Sequence, residues 1–133
     1  MFFPKHAVIL SFEGPDPYAQ VGGLGVRVTE LGGALVESGV ATELIFIGDP
    51  GAPQQDRYGA GVQLYRVLQE MAHDYPGGVY DGEWNKVDAY AQVVPDIVID
   101  RHIAPAAERG EQVLIEEWQT VKTAVALDRK LRE

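Results

Sequence analysis

Apolar residues along this chain fall in short dense runs, separated by stretches rich in Gly and Pro. The first run, Ala7 to Phe12, is continuous rather than alternating. That pattern predicts a central parallel strand covered on both faces. A loop follows and ends in Gly22, Gly23 and Gly25. From Leu24 or Gly25 to Ser38 the spacing becomes helical, with Leu24, Val28, Leu31 and Leu35 on one face and Arg27, Glu30 and Glu37 elsewhere. Gly32 and Gly33 each cost such a helix about 1 kcal/mol relative to Ala, a cost that close packing on a sheet would explain. Gly39 is a natural stop. A second apolar run, Thr42 to Ile47, completes strand–helix–strand with short connections, the pattern of a right-handed parallel unit.

The rest of the chain is less regular. Gly48 to Pro53 reads as a loop. Val62 to Val67 is a candidate third strand, and Leu68 to Ala72 is either its extension or a short helical turn. Tyr75 to Gly82 is irregular. A helix is expected from Glu83 to just before Pro95, and another from Pro95-Asp96 to about Arg109, with Pro95 in its first turn and Pro105 kinking or shortening it. Val113 to Ile115 is a short strand. Thr120 to Arg132 is the last helix, with Val121, Ala124, Val125 and Leu131 expected to face inward. The expectation is a single α/β domain over residues 1–133, three-layered and Rossmann-like, with a mainly parallel sheet.

Composition narrows the function classes. The net charge of −9 argues against nucleic-acid binding, which needs clustered Lys and Arg. The nearest basic cluster, Arg129 to Arg132, reads as a solvated helix end. There is no cysteine, so neither a disulfide nor a thiolate metal site. No apolar run approaches the roughly 20 residues of a transmembrane helix. Met1 to His6 lacks the form of a signal peptide, so a cytoplasmic address is expected. His6 opens the first strand, His73 falls in a loop and His102 in a helix; none has a second ligand at metal spacing, and no metal or other cofactor is expected.

In open parallel sheets, ligands bind beyond the carboxyl ends of strands. Two such ends carry polar residues: Glu13 to Gly25 after the first strand, and Glu116 to Thr120 after Ile115. If those strands are neighbours, the two segments meet over one crevice. The glycine loop is neither a dinucleotide fingerprint, since Val28 stands where the last glycine belongs, nor a P-loop. No G-x-S-x-G is present, which argues against a hydrolase of that type.

Phe12-Glu13-Gly14-Pro15 followed by Gln20-Val21-Gly22-Gly23-Leu24-Gly25-Val26-Arg27-Val28-Thr29-Glu30-Leu31 resembles the opening of glycosyltransferases of the GT-B fold, above all family 4 and the related glycogen and starch synthases. The Gly39 to Thr42 turn fits as well. Glu116-Glu117-Trp118-Gln119-Thr120 is similar to that family's H-x-[DE]-W-[HQ]-T, and Pro76 to Gly82 is similar to a segment of a family 4 subgroup. Such enzymes have two Rossmann-like domains across a cleft. The resemblance implies that this chain is the N-terminal, acceptor-side half, without the C-terminal donor-nucleotide domain, and has little or no transferase activity alone. Exposed apolar surface on its crevice side would make it prone to self-association.

The resemblance also implies roles. Gln20, Gly22, Gly23 and Leu24 would bind the donor's phosphate or sugar, the backbone N–H groups of Gly22, Gly23 and Leu24 stabilising the departing diphosphate. Glu117 and Gln119 would contact donor or acceptor hydroxyls, or Glu116 and Glu117 are plain solvated carboxylates. Tyr80 and Trp84 are possible acceptor contacts, or fill the core; Trp118 reads as a packing residue. The synthases carry Lys where Gln20 stands, and a neutral amide cannot neutralise a diphosphate as an ammonium can; family 4 is therefore favoured. Ile115 and Gln119 replace histidines of the motif, so no histidine base is on offer there. The substrates implied are a nucleotide-sugar and a carbohydrate acceptor. The competing reading is a non-catalytic α/β module that binds a sugar or nucleotide, or regulates a partner.

Overall fold

The computed structural model describes residues 5–105 and 112–133. Among the described residues, five strands form one sheet: β1 (His6–Leu10), β2 (Ala41–Ile47), β3 (Gln55–Tyr58), β4 (Val62–Val67) and β5 (Gln112–Ile115), in the order β3-β4-β2-β1-β5. The β4–β2, β2–β1 and β1–β5 pairs are parallel; β3 runs antiparallel to β4. The α-helices described with them are α1 (Leu24–Glu37), α2 (Gln69–Asp74), α3 (Glu83–Val98) and α4 (Val121–Arg132). This is the expected α/β architecture, three-layered and Rossmann-like with a mainly parallel sheet.

The layers follow from residue size and alternation. Gly32 lets α1 lie flat on one sheet face, since a Cβ there would sit 3.2 Å from Val62 Cγ1 and 3.9 Å from Ile9 Cδ1. Gly33 faces open space and has no such packing reason. On the other face Tyr90 of α3 donates to Ile45 O at 2.6 Å and accepts from Ser11 N–H at 3.1 Å, which fastens α3 to both β1 and β2. α4 lies alongside α3, with Lys122 on Asp88 and Lys130 on Asp96. Val8, Ile9, Leu10, Leu44, Ile45, Phe46 and Ile47 are fully buried, as expected of strands covered on both sides.

Three expectations are corrected and one unexpected strand appears. Pro95 does not break the helix: α3 runs through it to Val98 and widens into a π-helical turn over Ile99–Ile103. Pro95 is buried against the core, and that packing offsets the missing N–H. The predicted continuation towards Arg109 passes outside the described residues. β3 has no counterpart among the expected elements, since all four of its residues are exposed; the turn at Gly59 (φ +58°) and Gly61 (φ +132°) makes the hairpin. In α4, Thr123 and Leu127 face inward, while Val121, Val125 and Leu131 are exposed. His73 lies in α2, not in a loop; of the two readings for Leu68 to Ala72, the helical one holds.

Candidate functional site

β1 and β5 are hydrogen-bonded neighbours, and Glu116 N–H donates to Leu10 O at 2.9 Å just past their paired ends. From β1 the chain winds to β2 and β4 on one side and returns to β5 on the other, so their carboxyl ends mark the switch point of the sheet. The two segments singled out in the sequence meet there. Arg27, in the first turn of α1, forms an ion pair with Glu116 across the gap.

The glycine loop is anchored from below. A Cβ on Gly14 would lie 2.4 Å from the Phe46 ring, so only glycine fits beneath it. Asp16, nearly buried, takes two hydrogen bonds from the Arg66 guanidinium at 2.7 and 2.8 Å, and a third from Asp49 N–H at 2.8 Å. Those contacts tie the loop to β4 and to the turn after β2.

Glu13 is the buried group of the crevice. Its Oε1 accepts Val21 N–H at 2.9 Å and Gly25 N–H at 3.1 Å; its Oε2 accepts the Tyr80 hydroxyl at 2.5 Å. Gly25 is needed here, since a Cβ would come within 2.9 Å of Gly14 O. The helix dipole and the two amides are therefore already met by a protein carboxylate. Gly22 (φ +83°) and Gly23 remain exposed, with nothing within 4 Å of where a Cβ would stand. Gln20 is exposed and Leu24 half-buried beside them. Thus the four residues proposed for the donor surround the loop mouth, and the negative charge at the α1 terminus comes from Glu13.

Tyr80 is held by a buried lysine. Lys86 Nζ, in the first turn of α3, donates to Gly78 O at 3.0 Å, Val79 O at 2.9 Å and Tyr18 Oη at 2.8 Å. Three acceptors match its three protons. Burial lowers the Lys86 pKa, against the opposing charge of Asp81. The segment before α3 is thereby fixed, and it presents Tyr80 to Glu13. Burial first, then the hydrogen bond and charge of Glu13 and the charges of Glu117 and Glu83, push the Tyr80 hydroxyl well above its ordinary value. It stays a proton donor at neutral pH.

The far wall combines the start of α3 with the corner after β5. Gln119 Nε2 donates to Glu83 Oε1 at 3.0 Å. The Trp84 and Trp118 rings are 5.2 Å apart at 48°. Trp84 is 72% exposed and Trp118 47%, so neither fills the core, and Trp118 is not the packing residue its position suggested. Glu117 has φ +65° and ψ 166°, a region that side chains other than glycine rarely enter. Thr120 braces this corner, its hydroxyl within hydrogen-bonding distance of Glu116 O (3.0 Å) and Glu117 O (3.1 Å). Gln119 is buried, and its Oε1 has no hydrogen-bond partner.

Tyr80, Trp84, Glu117 and Gln119 therefore stand together, with Gln20 to Leu24 around the loop mouth. Glu13, Arg27 and Glu83 carry no role in the sequence reading, and Glu116, offered there as a solvated carboxylate, is half-buried and paired with Arg27. For Glu13 the signal was present: a carboxylate directly after a buried strand and before a glycine-led helix is placed to meet that helix's dipole. Among the described residues no helix is long and apolar enough to cross a membrane. No family model, no curated protein and no solved structure matches this chain.

Proposed function

We propose that this chain is the acceptor-side half of a glycosyltransferase, and that the crevice between the ends of β1 and β5 holds a carbohydrate. The observation that carries the reading is the meeting of the glycine loop with the Trp118 corner, joined by Arg27 and Glu116, with exposed indoles on one wall. Exposed aromatic faces suit the apolar faces of sugar rings, and fixed carboxylates suit their hydroxyls. The resemblance in the two motifs supplies the reaction class: transfer from a nucleotide-sugar supplied by a second, donor-binding domain. Gln20, Gly22, Gly23 and Leu24 would approach the donor; Glu117, Gln119, Tyr80 and Trp84 would contact the acceptor. A cytoplasmic setting and self-association of the isolated chain through its exposed apolar rim belong to the same proposal.

One observation favours the second reading, a sugar-binding module without transferase chemistry: Glu13 already places a carboxylate at the α1 terminus, on the Val21 and Gly25 amides that flank those of Gly22, Gly23 and Leu24, and a diphosphate would meet its charge. Carbohydrate binding is common to both readings. The test is a glycan array with the folded chain. Binding is expected, weakened at least tenfold by Trp84→Ala with no change in thermal stability. Absence of carbohydrate binding would sink both. Release of nucleoside diphosphate from a nucleotide-sugar, once a donor domain is supplied, separates the first reading from the second.

A further inference from the structure

The open groups of the crevice are acceptors and ring faces. Glu83 and Glu117 each precede one of two tryptophans whose rings are 5.2 Å apart, and Glu83 accepts from Gln119 at 3.0 Å, so two carboxylate-bearing residues adjoin one pair of rings. Gln119, more than nine-tenths buried against Glu83, leaves an acceptor oxygen unsatisfied. Cations on the flanking elements are already engaged: Arg27 with Glu116, Lys122 with Asp88, and Lys86 with three oxygens. Two exposed indoles border the cluster, and indole is the side chain most attractive to a cation over its face. A phosphate would meet repulsion here and a neutral sugar would leave the field unused, whereas an ammonium group suits both the carboxylates and the ring faces.

Resting on the carbohydrate reading above, we propose that the crevice selects a sugar bearing a protonated amino group over its neutral or phosphorylated counterparts. Ammonium protons would go to the carboxylates of Glu83 and Glu117, and the ring face to Trp84.

The chain's two tryptophans are Trp84 and Trp118, so its indole emission reports this site alone. The 133-residue chain is titrated at neutral pH with glucosamine, glucose, glucose 6-phosphate and choline. Glucosamine is expected to change the emission at a concentration at least tenfold below that needed with glucose. The preference should shrink at high salt and fall severalfold in Glu117→Gln. Equal response to glucose and glucosamine would overturn the amino-sugar preference and leave the carbohydrate reading standing, as would tighter binding of glucose 6-phosphate. A response to choline with none to any sugar would overturn the carbohydrate reading and retain the cation preference. No response to any of the four would overturn both.

Discussion

The two edges of the sheet use the same residue types to opposite ends. At the amino edge, the buried Glu43 accepts from Arg101 Nε at 3.0 Å and Nη2 at 2.6 Å, and lies 2.8 Å from His102 Nε2. Arg101 also stacks on the Tyr65 ring, 4.6 Å from its centroid. Here one carboxylate faces two potential cations, and the aromatic ring is covered by the guanidinium. At the carboxyl edge, Arg27 pairs with Glu116 and Glu13 accepts two amides and a hydroxyl, while Glu83 accepts from the neutral Gln119 and the indole rings face solvent. The amino edge is a closed ion cluster that fastens the end of α3 to β2; the carboxyl edge is left open for something else to complete. A cavity of about 270 Å³, lined by His6, Gln63, Arg101 and His102 among others, does lie beside Glu43. The difference lies in whether charge is already matched, and volume alone does not reveal it.

The largest expected effect tests the closed edge. Glu43→Gln leaves the Arg101 charge without its buried partner, and breaking such pairs costs about 3 kcal/mol. Chemical denaturation should show that loss, while glycan binding at the other edge stays unchanged. A parallel loss of binding would mean the edges are coupled and the comparison false. Protonation should act on the same cluster more gradually. Burial alone would raise the Glu43 carboxyl, but hydrogen bonds from His102 and Arg101, together with their charges, outweigh it and hold it below its ordinary value. A carboxyl lowered in the folded state contributes stability that is fully present above the unfolded pKa, about 4.3, and is lost as pH falls through the folded value. Wild-type stability should therefore decline below about pH 4.3 more steeply than that of Glu43→Gln. Parallel curves would remove Glu43 from the acid transition.

Much of the open edge was legible in sequence because its framework is local. The unbroken runs of β1 and β2 and the glycines before α1 speak within a few residues of themselves, and the rule that ligands gather beyond strand ends did the rest. What escaped depends on distant pairing. Tyr80 meets Glu13 across 67 residues, and Arg27 meets Glu116 across 89; no local pattern encodes either contact. The inward face of α4 was misjudged for a related reason. β5 has a strand on one side only among the described residues, so α4 packs on α3 and turns Val121 and Val125 outward. β3 escaped because a polar edge strand lacks the apolar alternation by which strands are recognised. Pro95 was read as a boundary because its missing donor is a local fact, whereas the buried packing that retains it is not.

The smallest effect should be the most telling about the open edge, because its sign is opposite to that of most substitutions. The backbone of Glu117 occupies a conformation costing about 1–3 kcal/mol for a residue with a side chain. Glu117→Gly relieves that strain. Against this, glycine's freedom in the unfolded chain costs about 0.5–1 kcal/mol. The balance predicts net stabilisation of about 1 kcal/mol, read as a higher denaturation midpoint. The same variant should lose affinity for the glycan or amino sugar that the parent binds. Stability gained and binding lost together would identify a strained carboxylate kept for its ligand. If Glu117→Gly were less stable than the parent, the corner would owe its shape to contacts of the glutamate side chain, and the open edge would be fastened much as the closed one is.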